Sequence, residues 1–291
     1  MEKFCPREFS FKSNWMGFLA LLRNWSIIIA TVFLSVHINN LLFYPVAIVV
    51  IGFFQFAIGE VLLHEASHRH LFRHQWLNEN LSFLYAEPFF YTLSIHRAAH
   101  FPHHIYFQGE EDTAWQLYRD LGVPEESSSF EIDFLKFCLG RASLVHINFF
   151  IYWYSVHSPL RVILFWLPTL LFFYHVGAIL ILILYWVIPY FLIFPVILYW
   201  TVIVNHYHTE TGTRTSINPV CNWIFHNNGY HHTHHLFPNI PWYQLPKAYQ
   251  QGFGSEGAET TRNFFDSFRQ LCAKSRQLGI GCGISTESLR H

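Results

Sequence analysis

Charge is what this chain has little of. Lys, Arg, Asp and Glu make up 13% of its 291 residues, about half the usual share for a soluble globular protein. They nearly cancel, to a formal net charge of -1, so nothing in the charge suggests a nucleic-acid partner. Cysteine is scarce too. There are five, an odd number, at positions 5, 138, 221, 272 and 282, with no Cys-x-x-Cys pair. Free thiols are therefore expected, with neither a disulfide framework nor an iron–sulfur cysteine set. The opening Met-Glu-Lys-Phe-Cys-Pro-Arg lacks the layout of a signal peptide.

Apolar side chains fill the space that charge leaves. Hydrophobic residues reach 52% and aromatics 19%, with a mean hydropathy of +0.22. That composition reads as an integral membrane protein. A first span runs from about Trp25 to about Asn39; its shortness implies an earlier start, with Arg23 snorkelling to the interface. Asn39-Asn40 makes a turn, and a second span starts near Leu41 and ends at Leu63. Val162 to Val204 contains no charged side chain. One helix of that length would be roughly 65 Å long, about twice the hydrocarbon core. The run must therefore be two spans, with a turn expected near Trp186 to Pro189. Phe83 to Ile95 is too short to cross and reads as a re-entrant or interfacial piece. Aromatic-rich Ala142 to His157 reads as an interfacial helix. The four spans leave both termini and all 18 Lys and Arg on one side, which the positive-inside rule makes cytoplasmic. The expected fold is all-α and integral to the membrane: four transmembrane helices under a cytosolic helical cap. It forms one domain over residues 1–291, with its core at about 40–246 and a polar cytosolic tail at 247–291.

Histidine is abundant, at 20 residues, and much of it stands in three short boxes. His64-Glu-Ala-Ser-His68 sets two histidines at i, i+4. His100-Phe-Pro-His103-His104 and His231-His-Thr-His234-His235 share the spacing H-x-x-H-H. Residues three and four apart share a helix face, so the boxes align two, three and three imidazoles, and His232 points elsewhere. Pro102 forbids an interior helical hydrogen bond and is expected in a first turn. Neutral imidazole ligates iron, zinc, copper or nickel. A tetrahedral zinc needs only three or four protein ligands. Eight converging imidazoles imply two metals of a kind that accepts more than four nitrogens, and iron fits. The four-span reading puts all three boxes on the cytoplasmic side. A fifth span at 142–157 would strand the third box across the bilayer from the second.

Glu60, Asp112 and Glu210 can hydrogen-bond ligand imidazoles and fix their tautomers; Glu60 lies one turn before His64 on the same face. His70, His74, His96 and His226 fall off the repeated spacing and are expected behind the ligands or on the surface. His175 reads as a hydrogen-bonded packing residue deep in the membrane.

Two motifs point elsewhere. His64-Glu65-x-x-His68 is a literal H-E-x-x-H, the zinc-protease motif with Glu as general base. A protease needs one further ligand and leaves the other two boxes unexplained. Gly252-Phe-Gly254-Ser-Glu-Gly257 matches G-x-G-x-x-G, but it follows no predicted strand and leaves too little chain for a Rossmann unit, so a loop is expected. A metal-binding membrane protein or transporter is the non-enzymatic alternative.

The boxes and their flanks resemble the membrane fatty acid desaturases, a superfamily that also holds lipid and carotenoid hydroxylases and ketolases. The matching stretches are His64-Glu-Ala-Ser-His68-Arg-His-Leu-Phe-Arg, His100-Phe-Pro-His103-His104, and Asn227-Asn-Gly-Tyr-His231-His-Thr-His234-His235-Leu-Phe-Pro-Asn-Ile-Pro-Trp-Tyr-Gln-Leu-Pro. The resemblance implies two irons held by histidines and a buried channel for a lipid acyl chain. It also implies oxidation of an unactivated C–H bond with dioxygen and two external electrons, to an alkene or an alcohol. As ligands it implies His64, His68, His100, His103, His104, His231, His234 and His235, with a ninth histidine just after the fourth span. His206 and His208 both stand there. Two residues apart is about 200° around a helix, so they cannot both face the metals. His206 ends the apolar run with Asn205 before it and is the expected ligand; His208, nearer Glu210, is expected behind it. The chain has no His-Pro-Gly-Gly haem motif, and the resemblance implies a separate ferredoxin or cytochrome as electron donor.

Overall fold

The computed structural model describes residues 5–107, 109, 111–113, 117, 120, 121, 130–207, 209, 211–255 and 259–280, with side chains through 273. The chain opens with α1 (Asn14–Ile38), capped by Ser13, whose side chain accepts the Met16 N–H at 3.5 Å. It ends on Asn39 in the left-handed region, at φ 46°, where Asn is one of the few residues that fit. After this turn α2 (Tyr44–Ser67) follows. Then come α3 (Gln75–Asn80), α4 (Leu93–Ile105), α5 (Phe130–Val156), α6 (Leu160–His175) and α7 (Ile179–His206). The polar cap is completed by α8 (Pro219–Ile224), α9 (His231–Leu236), α10 (Leu245–Gln250) and α11 (Phe264–Ile280). The strands β1 (Arg214–Ser216) and β2 (Glu259–Thr261) pair in parallel. Apart from that ladder the described architecture is all-α.

Among the described residues, α1, α2, α5 and α7 are long and apolar enough to cross a membrane. On α1, Leu19, Ile29 and Phe33 are 55%, 63% and 68% exposed. Water would disfavour such a surface, and lipid covers it. Four is the expected number of candidates, but by length and composition α5 stands among them where α6 was expected. The sequence expectation puts its third span in the first half of Val162–Val204, but α6 has only 16 residues, too few for the hydrocarbon core. Ala142–Val156, expected as an interfacial helix, is the helical part of α5 that follows a break at Gly140, where φ is 125°. After the kink, Ser143 Oγ–H donates to Phe191 O at 2.6 Å and the Phe150 ring lies 5.0 Å from Tyr91.

The turn expected near Trp186 to Pro189 lies instead at Val176–Ala178. Gly177 takes φ 69° there, and the Ala178 N–H donates to Phe173 O at 2.8 Å, a glycine-terminated helix end. Pro189 does not reverse the chain because α7 widens to a π turn at Ile183–Val187 just before it. Carbonyls near the widened turn find other donors: Tyr44 Oη–H on Leu184 O at 2.9 Å and Gln55 Nε2–H on Trp186 O at 3.0 Å. With the turn moved, His175 sits exposed at the end of α6 and not deep in a span. Pro102 also departs from expectation. It lies inside α4, which starts at Leu93 with Thr92 accepting the Ile95 N–H. Half-buried Arg23 reaches the C-terminal end of α8, ahead of the third box, donating to Trp223 O at 2.7 Å and Ile224 O at 2.9 Å.

Residues 82–90 form short turns that dip between α1 and α7. Trp25 Nε1–H donates to Leu84 O at 3.0 Å, the Trp25 and Trp186 rings stack at 5.3 Å, and Phe89 lies 5.3 Å from Trp186. The described part of the segment after residue 246 is docked. Fully buried Arg214 donates to Val204 O at the end of α7 and meets Glu259 Oε2 at 2.9 Å. Phe264 and Phe268 pack on Trp200 and Phe134.

Candidate metal centre

Helix spacing decides which imidazoles meet. His64 and His68, at the end of α2, stand at i, i+4, as do His100 and His104 on α4. These four and His234 of α9 form one cluster. His103 of α4, His206 at the end of α7, and His231 and His235 of α9 form a second. In each cluster one nitrogen per ring lies within 4.8 Å of all the others. The sequence neighbours His103 and His104 are divided between the clusters, as are His234 and His235, because adjacent residues sit about 100° apart on a helix. The clusters abut: the His104 and His235 rings stack at 4.4 Å.

Within the first cluster, His100 Nε2 lies 3.1 Å from His68 Nε2 and 2.8 Å from His104 Nε2. Within the second, Nε2 of His206 lies 3.2 Å from His103 and 2.7 Å from His231, and His231 lies 3.0 Å from His235. Nitrogens at right angles around a metal with bonds of about 2.1 Å would be about 3.0 Å apart. His64 Nε2 and both ring nitrogens of His234 are buried without a hydrogen-bond partner among the described residues. Such orphaned buried nitrogens are unfavourable unless something binds their lone pairs.

Tautomers reinforce the fit. His103 Nδ1–H donates to Asp112 Oδ1 at 2.7 Å, and His206 Nδ1–H to Gly212 O at 3.2 Å. A neutral imidazole has one N–H, so both Nε2 atoms present lone pairs to each other, and a cation between them removes the repulsion. Burial, followed by the neighbouring imidazoles, holds His68, His100, His231, His234 and His235 well below the ordinary histidine range, and His104 at about 4. Neutral rings with lone pairs available are what a metal requires. Five and four nitrogens suit a metal of high nitrogen coordination better than tetrahedral zinc.

The remaining histidines face elsewhere. His232 Nδ1 meets Thr213 Oγ1 at 2.5 Å. His226 Nε2 accepts from Arg23 and Asn24, each at 2.9 Å, which ties the third box to α1. His70 is buried with Nδ1 unpaired, and His74 is exposed. His208 and Glu210 lie outside the described residues. Glu60 makes no ion-pair-distance contact with a cluster imidazole; its Oε1 lies 3.5 Å from Nε2 of His96. The reason is a π turn over Ala57–Leu62, which rotates the face that a regular helix would align with His64. Glu65 of the H-E-x-x-H sequence accepts the Trp242 backbone N–H at 3.3 Å, fastening the loop after the third box. Neither this contact nor the His226 clamp has a spacing signature in the sequence. The glycine-rich stretch is a loop at Gly252 and Gly254, both at positive φ, and a Cβ on Gly254 would meet Thr233 Cα at 2.9 Å; residues 256–258 lie outside the described part.

A cavity of about 1040 Å³ opens against both clusters, touching His64, His100, His103, His206 and His231. Phe56, Val145, Phe149, Trp153, Leu198 and Val202 supply apolar wall.

Comparison with known proteins agrees with this chemistry. The family model "Fatty acid desaturase" matches residues 39–253. The dihydrorhizobitoxine desaturase of Bradyrhizobium elkanii is 27% identical over 267 residues, covering 81% of this chain and 74% of the relative. The beta-carotene ketolase of Paracoccus sp. (strain PC1) is 54% identical over a short stretch of 28 residues, 10% of this chain and 12% of the ketolase.

Proposed function

The chain belongs to the fatty acid desaturase family, and from that premise we propose that it is a membrane di-iron oxidoreductase that desaturates a lipid acyl chain. The observation that carries the reading is the pair of abutting histidine clusters opening on one cavity. His64, His68, His100, His104 and His234 would hold one iron; His103, His206, His231 and His235 would hold the other. When bound, the two irons supply the reduction of dioxygen that makes removal of hydrogen from an unactivated C–H bond possible. Two hydrogens leave adjacent carbons, and two electrons and two protons enter from outside, so that dioxygen ends as two waters.

The chain's own groups supply order. Asp112 holds the tautomer of His103, and Gly212 O that of His206. The apolar wall positions a hydrocarbon and keeps bulk water out. Electrons come from a separate ferredoxin- or cytochrome-type donor. The boxes and both termini face the cytoplasm. Hydroxylation or ketolation by the same centre is the second reading, supported by the short stretch shared with the ketolase.

Iron analysis of anaerobically purified protein, with lipid mass spectrometry of cells with and without the gene, tests the proposal. Iron near two per chain and a new unsaturated acyl species are expected. Zinc at one per chain, with an unchanged lipid profile, would sink it.

A further inference from the structure

The cavity wall beside the histidine clusters is not purely apolar. From Phe54 to Ser67 every residue of α2 is buried except Glu60, and Glu60 lines the cavity. Its carboxylate makes no hydrogen bond among the described residues; the one ring nitrogen among them within 4 Å of it is Nε2 of His96, at 3.5 Å. His96 is itself fixed by Ser67 Oγ, 2.9 Å from its Nδ1. Tyr91 lines the same cavity and is only 3% exposed. Its ring is packed by Phe149 at 5.6 Å and Phe150 at 5.0 Å. Its hydroxyl has no hydrogen-bond partner among the described residues, in contrast to buried Tyr85 and Tyr190 and half-buried Tyr154, whose hydroxyls all donate to backbone carbonyls.

A plain hydrocarbon laid against this wall would strip water from a carboxylate and a phenol and give nothing back, which is unfavourable for both. A ligand that donates a hydrogen bond removes that penalty. No lysine or arginine lines the cavity among the described residues, so an anionic group finds no protein cation there. The group also lies close to the chemistry: His96 is 6.3 Å from His64 and 5.4 Å from His100, ring centre to ring centre.

We propose that Glu60 and Tyr91 form a recognition site for a hydrogen-bond-donating group, a hydroxyl or an amine, carried by the apolar substrate next to the reacting carbons. The inference rests on the reading of this cavity as the substrate site of a di-iron oxidoreductase. Glu60 accepts from the donor, and Tyr91 Oη accepts from it or donates to its oxygen. The substrate is then a functionalised chain and not a simple saturated one. Glu60 and Tyr91 select it by leaving unsatisfied polar groups behind when the donor is missing.

Equilibrium binding of radiolabelled dodecane, 1-dodecanol and dodecylamine to the protein in lipid nanodiscs tests this. The same measurement on empty nanodiscs corrects for partition, and iron is quantified in every sample. In the wild-type protein at least one polar probe should bind about tenfold more tightly than dodecane. Tyr91→Phe and Glu60→Gln should each narrow that ratio several-fold with iron content unchanged. A preference for dodecylamine that Glu60→Gln abolishes assigns an ammonium; a preference for dodecanol that both variants weaken assigns a hydroxyl. Equal binding of all three probes to the wild-type protein overturns the proposal. So does a loss of turnover in Tyr91→Phe with an unchanged binding ratio, which would give these groups to proton supply. Absence of iron from the wild-type protein would instead strike the di-iron reading, while the probe ratios still report on the site.

Discussion

His103 and His206 face each other Nε2 to Nε2 across 3.2 Å, and each has its Nδ1–H committed behind it, to Asp112 and to Gly212 O. They come from helices α4 and α7, far apart in sequence. Two fixed lone pairs at that separation repel in a buried site, so the backing acceptors prepare the pair for a cation. Asp112 is the stronger lever, because a carboxylate both orients the ring and raises its basicity. Asp112→Ala should weaken retention of the iron in its cluster about 10- to 100-fold. Asp112→Asn, whose amide oxygen still accepts, should fall between. Iron remaining after timed dialysis against a chelator measures this, and wild-type retention in Asp112→Ala would contradict it.

The third box makes a sharper comparison within one turn of α9. His231 Nε2 lies 2.7 Å from His206 Nε2, whereas the neighbouring His232 is turned to Thr213 Oγ1. His231→Ala should lose iron and activity. His232→Ala removes one hydrogen bond, worth about 1 kcal/mol, and should keep most of its iron. Metal analysis of the two purified variants decides; equal losses would mean that the helix face does not select the ligands.

Sidedness follows from convergence. Since His103 and His206 touch, the chain between them crosses any bilayer an even number of times. The turns at Asn39–Phe43 and Val176–Ala178 carry no Lys or Arg, so the topology proposed above expects both on the side away from the boxes. In sealed vesicles, an impermeant maleimide should reach a cysteine placed at Asn40 or Gly177 from one side only, and exposed Cys221 from the other. Labelling of Asn40→Cys and Cys221 from the same side would refute this topology.

The nine histidines singled out by spacing and by resemblance are the nine that the structure draws into two clusters. That much was legible because i, i+4 spacing fixes a shared helix edge whatever surrounds it. The division between clusters was less so, since it depends on where α7 and α9 end. The facing of Glu60 was hidden by the π turn at Ala57–Leu62, which residue periodicity at 3.6 cannot anticipate. The sequence places the turn within the long apolar run near Trp186 to Pro189. The structure absorbs that proline with a widened turn and partners from α2, and reverses at Gly177. The return of residues 259–261 to β1 beneath the cap, through buried Arg214 and Glu259, is a pairing across distant polar segments that no local pattern marks.

The two clusters draw on different elements, and that gives the most discriminating test of a two-metal centre. His68 belongs only to the first cluster, and His206 only to the second. Each lies at the end of a membrane helix, so an alanine there removes a ligand with little disturbance of the helix behind it. His68→Ala should lose the first iron and keep the second; His206→Ala should do the reverse. Each variant should therefore retain iron near one per chain, and the double variant close to none. Activity should vanish in both single variants, because dioxygen reduction needs both metals. Mössbauer spectra of iron-57-loaded protein should separate the cases: a coupled pair in the wild type, and isolated irons with different quadrupole splittings in the two variants. If each single variant loses both irons, the nine histidines form one cooperative site; if either keeps both, the histidine removed is not a ligand, and in both cases the assignment of five to one iron and four to the other is wrong.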